Sequence, residues 1–92
     1  MIRVLKGHVP PFVVHYHITL EGTDIEMDIA WPEHKVDGEV EGRWVRATSK
    51  TKFDRDKRRA NLLAAYGWRL VYFTSEMSDK TILAEARRAV PS

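Results

Sequence analysis

The chain contains no cysteine, no long apolar run and no repeated or low-complexity segment. Without cysteine, neither disulfide bonds nor thiolate metal sites are available, which agrees with a reducing compartment. No apolar stretch approaches the length that crosses a membrane, and the first residues lack the apolar core of a signal peptide. These absences predict a cytoplasmic protein without a membrane partner.

The residues that are present supply one small apolar core. The chain has 92 residues, 43% of them hydrophobic, and three Trp, three Tyr and three Phe indicate a folded globule. This length predicts a single domain over residues 1–92, near the size at which one core becomes marginal. Because a small core often gains stability from a second copy, we expect a homodimer.

A net charge of +2 conceals two segments of opposite charge. The acids of residues 21–41 are Glu21, Asp24, Glu26, Asp28, Glu33, Asp37, Glu39 and Glu41, against the single base Lys35. The bases of residues 43–59 are Arg43, Arg46, Lys50, Lys52, Arg55, Lys57, Arg58 and Arg59, against Asp54 and Asp56. Such segregation suggests a cation on the first segment and a polyanion, bound through its phosphates, on the second. A solvated basic helix is an equally good interpretation of the second segment.

Alternation of apolar and polar residues predicts three strands that form an antiparallel meander. The first strand runs from Phe12 to Leu20, and a tight turn over residues 21–24 leads into the second. The second strand is predicted to bury one face and expose the other, with Ile25, Met27, Ile29 and Trp31 opposite Asp24, Glu26 and Asp28. Pro32 interrupts this strand, and the third strand follows it.

The remainder of the chain predicts two helices and a fourth strand. Residues 43–52 are expected to form a loop, and a helix over about residues 52–66 follows the N-cap candidate Thr51. Its apolar side comprises Phe53, Ala60, Leu63 and Ala64, and Gly67 supplies the left-handed residue after its end. Residues 68–74 form a buried strand, and Ser75 or Ser78 caps a last helix that ends near Val90.

This order of elements predicts an α/β domain. Its mixed four-stranded sheet consists of a three-strand antiparallel meander plus a crossover strand, and two helices cover it. Residues 1–5 are predicted to form a short strand or an arm. The architecture decides which acidic side chains can meet.

Pairing of the second and third strands brings acids together. As a hairpin, these strands can gather Asp28, Glu39 and Glu41 on one side of the sheet. Three neighbouring carboxylates repel one another, so they need a compensating charge. Mg²⁺ suits them because it prefers oxygen ligands and keeps several waters. The alternative is a polar face that is merely solvated.

Three stretches in this order resemble the PD-(D/E)XK nuclease superfamily, most closely its small proteins related to very-short-patch-repair endonucleases. The first stretch, Asp28-Ile-Ala-Trp-Pro through Glu39-Val-Glu41-Gly42, is similar to that group's metal-binding core. Residues 53–63 are similar to its basic helix, and residues 67–74 to its closing strand. The resemblance implies a compact restriction-endonuclease-like core.

The resemblance also implies an activity, that of a Mg²⁺-dependent endonuclease, with Mn²⁺ as a substitute, that hydrolyses phosphodiester bonds in duplex or branched DNA. Asp28, Glu39 and Glu41 take the catalytic and metal-binding positions, and the backbone carbonyl of Val40 is a further ligand. The eight bases of residues 43–59 take the role of DNA contacts. Holliday-junction resolution and mismatch- or nick-directed cleavage are the two reactions expected.

The chain departs from the family pattern at three places. Glu41 stands where the family usually has a lysine, and Trp44 and Val45 stand where a histidine often follows. The acidic helix that usually begins these proteins has no room before Phe12. These departures keep a second interpretation open, a catalytically degenerate nuclease fold that binds DNA or another protein without cutting it.

Overall fold

The computed structural model describes residues 2–41 and 50–91, with residues 50–53 described for their backbone only. One sheet holds four strands in the order β1-β2-β3-β4: β1 (Val13–Leu20), β2 (Thr23–Trp31), β3 (Val36–Glu41) and β4 (Arg69–Thr74). The pairs β1–β2 and β2–β3 are antiparallel, whereas β3–β4 is parallel. The predicted α/β class, with a three-strand meander and a crossover strand, is confirmed.

The helices are α1 (Ile2–Leu5), α2 (Lys50–Ala65) and α3 (Asp79–Ala89), and a 3₁₀ turn spans Pro32–His34. The predicted strand or arm at residues 1–5 is wrong, because Lys6 N–H donates to the carbonyl of Ile2 and Leu5 is fully buried. α3 starts at the predicted cap, where the Ser78 hydroxyl accepts from Thr81 N–H. No helix in the described part of the chain is long and apolar enough to cross a membrane.

Two buried clusters cover the sheet. The α1–α3 cluster consists of Leu5, Ile29, Trp31, Val36, Phe73, Ile82, Ala86, Ala89 and Val90. The α2 cluster consists of Ile25, Met27, Ala30 and Leu63. The neighbours Ile29 and Ala30 belong to different clusters, and successive side chains of a strand point to opposite faces. The two clusters therefore lie on opposite sides of the sheet.

The prediction that β2 buries one regular face is wrong. Met27 packs in the α2 cluster, whereas Ile29 packs in the α1–α3 cluster on the other side. The ladder pairs Val14 with Ile29 and Tyr16 with Met27, and the intervening residues His15 and Asp28 form no pair in this register. His15 has φ +51°, a left-handed conformation that interrupts the pleat. Both strands change faces at this break.

α2 extends the predicted helix by two residues at its start, to Lys50, while residues 43–49 of the predicted loop lie outside the described part. Leu63 is fully buried as expected, but Ala64 is exposed and Leu62 is half-buried instead. The side chain of Phe53 is not among those described. The left-handed residue after the helix is confirmed at Gly67, with φ +84°.

Gly38 lets two aromatic rings cover the middle of β3. A Cβ at this position would lie 3.1 Å from Phe73 Cε2 and 3.4 Å from Trp31 Cζ3. The Gly38 face of β3 therefore belongs to the α1–α3 cluster. By alternation, Asp37 and Glu39 face the opposite side, toward α2.

Candidate functional site

Asp28 lies at the break in β2 and reaches the adjacent strand. Its Oδ2 accepts a hydrogen bond from the main-chain N–H of Val40 at 2.9 Å. The nitrogen of Val40 is bonded to the carbonyl carbon of Glu39, so this carboxylate lies beside the main chain of residues 39–41. An acid of β2 and the acidic end of β3 are thereby brought together.

The side chain of Glu39 faces α2 and forms an ion pair there. Its Oε2 lies 2.8 Å from Nη2 of Arg59, and the same nitrogen lies 2.9 Å from Oδ2 of Asp37. Nη2 also donates to the main-chain carbonyl of Glu26 at 2.9 Å. We call Asp37, Glu39 and Arg59 the Arg59 cluster. The cluster connects the middle of α2 with β3, and the bond from Arg59 to the Glu26 carbonyl connects it with β2.

Asp37 is the buried acid of this cluster. Its exposed fraction is 0%, and its Oδ1 has no hydrogen-bond partner among the described residues. Burial raises the pKa of Asp37 to about 8, the hydrogen bond and charge of Glu39 add to the rise, and Arg59 opposes it. Burial and the neighbouring Glu39 thus favour the protonated form of Asp37, whereas Arg59 favours its charged form.

Arg59 remains charged in this surrounding. Burial alone lowers the pKa of an arginine, but the Glu39 and Asp37 carboxyl groups together hold the pKa of Arg59 above its ordinary value. Arg59, predicted to contact DNA, instead faces the sheet, and Asp37 is a member of the site that the sequence does not indicate. One signal was present, since Arg59 precedes the buried Leu63 by four residues and shares its helix face.

Two further side chains, those of Glu41 and Tyr72, lie at the end of β3. Glu41 is exposed, and Tyr72 of β4 pairs with Glu39 in the parallel ladder. Partial burial raises the pKa of Tyr72, and the charges of Glu41 and Glu39 raise it further. The Tyr72 hydroxyl therefore lies in the field of both carboxylates, a neighbour that the sequence did not indicate.

The side chains of Asp28 and Glu39 face different parts of the molecule. Asp28 lines a cavity of about 790 Å³ together with Val14, His15, Ile29 and Val40, beside α1. Glu39 instead contacts Arg59 of α2. The predicted gathering of Asp28, Glu39 and Glu41 on one side is therefore replaced by one acid on the cavity side and one at α2, joined through the Val40 amide.

The predicted DNA-binding residues divide into three groups. Arg55, Lys57 and Arg58 are exposed on α2. Lys50 and Lys52 lie in the first turns of α2, where side chains are not described, and Arg43 and Arg46 lie outside the described residues. Of the four predicted DNA-binding side chains that the structure describes, only that of Arg59 faces the sheet. The exposed positive charge of α2 thus adjoins the acidic end of β3.

The donor atoms suit a hard divalent cation. Within residues 2–41 and 50–91, no three Asp, Glu, His or Cys side chains form a ready-made metal cluster. Mg²⁺ is usually bound by one or two carboxylates, with waters and substrate phosphate as the other ligands, so a complete protein cage is not required. Asp28, Glu39, Glu41 and the Val40 carbonyl supply oxygen only.

Comparison with protein-family models, with curated proteins and with solved structures finds no significant match to this chain.

Proposed function

We propose that this chain is a metal-dependent endonuclease that hydrolyses phosphodiester bonds in DNA, built on the plan of the PD-(D/E)XK nucleases. The observation that supports it most is the hydrogen bond between Asp28 and the Val40 amide. This contact joins an acid of β2 to the segment that contains Glu39 and Glu41. The mixed sheet, with β4 reached through a basic helix, is the topology that the sequence resemblance implies.

Each residue of the site has a role in this proposal. In this proposal Glu39 turns from Arg59 toward Asp28, and these two side chains with the Val40 carbonyl would hold Mg²⁺, which would supply a more acidic water and a Lewis acid for the leaving oxygen. Glu41 is exposed at the end of β3, where it is a further ligand or accepts the proton of the attacking water. The exposed Arg55 and Arg58 neutralise phosphates of the DNA backbone.

A homodimer would present two such sites to one nucleic acid. Two copies related by a two-fold axis can address opposed strands, as cleavage of a duplex or a four-way junction requires. The preferred substrate is therefore a duplex with a mismatch or nick, or a branched DNA.

The test compares linear duplex, mismatched duplex and four-way-junction DNA, each incubated with the protein and Mg²⁺ or Mn²⁺. Cleavage of at least one substrate is expected, with loss of cleavage and retained DNA binding in Glu39→Gln. Glu33→Gln is the matched control, because Glu33 is an exposed acid of the 3₁₀ turn. Failure of the wild-type protein to cut any of the three substrates with either metal would falsify the proposal.

One observation favours a second function, DNA binding without cleavage. Glu39 is already neutralised by Arg59 at 2.8 Å, an arrangement that a degenerate nuclease fold could keep without metal. The two functions differ in their need for the cation. A pure binding module retains full DNA affinity in a chelator, cuts nothing in Mg²⁺, and is indifferent to Glu39→Gln.

A further inference from the structure

A single nitrogen of Arg59 donates to three acceptors in the described part of the chain. Nη2 lies 2.8 Å from Glu39 Oε2, 2.9 Å from Asp37 Oδ2 and 2.9 Å from the Glu26 carbonyl. A guanidinium NH₂ group has two hydrogens, so at least one acceptor must share a hydrogen with another. The two acceptors that share a hydrogen are consequently bound more weakly than in a two-centre bond with the same atoms.

The three acceptors differ in their access to solvent. The side chain of Asp37 is 0% exposed, and the third acceptor is a main-chain carbonyl of β2. The side chain of Glu39 is 19% exposed. Glu39 is therefore the acceptor that a dissolved cation can reach. If Glu39 leaves, Arg59 keeps two partners and can satisfy each of them with its own hydrogen.

We infer that Arg59 is a positioning residue that holds Glu39 against α2, so that Arg59 and a divalent cation compete for the Glu39 carboxylate. This inference rests on the proposed function, because it concerns the same Glu39. A guanidinium in contact with a carboxylate cancels much of the charge that attracts a dication. Cation binding and the Arg59–Glu39 ion pair are thus linked, and each weakens the other by the same factor.

The competition leaves α2 in place. Leu63, four residues after Arg59, is fully buried in the α2 cluster and holds the helix on the sheet. Arg59 also retains Asp37 and the Glu26 carbonyl as partners when Glu39 turns to the cation. The switch therefore moves one side chain, and the sheet and helix keep their packing.

The test is the Mn²⁺ affinity of the full chain, measured by titration calorimetry without DNA. Arg59→Gln removes the competing charge, so we expect it to bind Mn²⁺ about tenfold more tightly than the wild-type protein. Arg59→Lys keeps the charge and should remain near the wild-type affinity. Arg87→Gln is the control, since it removes an exposed charge of α3, on the opposite side of the sheet, and should change little. An Arg59→Gln affinity equal to or weaker than wild type overturns the inference.

An NMR measurement on the wild-type protein tests the inference even where an Arg59 variant fails to fold. The Arg59 side-chain Nε–Hε signal in the NMR spectrum should shift during Mg²⁺ titration, with the affinity that calorimetry gives for Mg²⁺. A signal that stays unchanged at saturating Mg²⁺ contradicts the competition.

Cleavage assays on the same variants separate this inference from the proposed function. Tighter Mn²⁺ binding by Arg59→Gln, without cleavage by any variant, supports the inference and overturns the endonuclease. Cleavage by the wild-type protein, with identical Mn²⁺ affinities in all variants, supports the endonuclease and overturns the inference. Absence of Mn²⁺ binding by both wild type and Arg59→Gln overturns the inference.

Discussion

The carboxylate of Asp28 accepts a hydrogen bond from the main-chain N–H of Val40, 2.9 Å away on the next strand. This contact occurs where the regular pairing of β1 with β2 is interrupted. The Asp28 side chain thus accepts a hydrogen bond of the kind that a main-chain carbonyl accepts in an unbroken ladder. Asp28 therefore has a structural role beside its proposed role in metal binding.

Substitutions at Asp28 should separate these two roles. In Asp28→Asn an amide oxygen remains to accept from Val40, so stability should stay close to wild type. Asp28→Ala leaves the amide without this partner and should lower the free energy of unfolding by about 1 kcal/mol. Urea denaturation measures both values, and both variants should lose cleavage. Equal stability of Asp28→Ala and the wild-type protein would show that the contact stabilises nothing.

The pH dependence of stability should reveal the buried Asp37. Its pKa is about 8 in the folded protein against an ordinary value of 3.8, so the folded state keeps this proton to higher pH than the unfolded state. The contribution of Asp37 to stability is therefore fully present below about pH 4, falls as the pH rises, and levels off above about pH 8. Asp37→Asn cannot titrate and should lack this decline.

The measurement is urea unfolding of the metal-free protein between about pH 5 and pH 9. The difference in unfolding free energy between Asp37→Asn and wild type should move in favour of the variant as the pH rises. Glu33→Gln, which alters an exposed acid, should follow the wild-type profile. Parallel profiles for Asp37→Asn and wild type would mean that Asp37 is not protonated in the folded state.

Gly38 should tolerate no side chain. A Cβ at this position meets the Phe73 ring at 3.1 Å and the Trp31 ring at 3.4 Å, both in the buried α1–α3 cluster. Gly38→Ala should lower the free energy of unfolding by about 1–3 kcal/mol, because the rings must shift. Gly22→Asn is the control: its φ of +76° strains any side chain, asparagine least, but no described atom lies within 4 Å of the added Cβ, so its cost should be the smaller one. Urea denaturation with equal costs for both variants would contradict the packing explanation.

The sequence predicts the order of the strands because their signals are local. Alternating apolar residues and the turn before Thr23 define the hairpin, and Gly67 marks the end of α2. The prediction for the two faces of β2 is wrong because alternation of apolar and polar residues assumes an unbroken pleat. The left-handed conformation of His15 has no signature in the sequence, since residues other than glycine rarely adopt it.

The candidate site was predictable only where its contacts lie on paired strands. The pairing of β2 with β3 follows from the short connection between them, and it brings Asp28 to residues 39–41. The Asp37–Arg59 pair joins residues 22 positions apart, on different elements. A charged residue is ordinarily exposed, so its burial becomes visible only when the packing of α2 is known.

The exposed bases of α2 should set the salt dependence of DNA binding. Arg55 and Arg58 face solvent on the helix beside the acidic end of β3. If each neutralises one phosphate, the double variant Arg55→Gln/Arg58→Gln should reduce the slope of log K against log salt by about 2. Fluorescence anisotropy with a labelled duplex in EDTA measures this slope without cleavage.

The double variant Arg87→Gln/Arg88→Gln is the control, because both residues are exposed on α3, which packs on the opposite side of the sheet. An unchanged slope for the α2 variant, or an equal reduction for the α3 variant, would place the DNA elsewhere on the molecule.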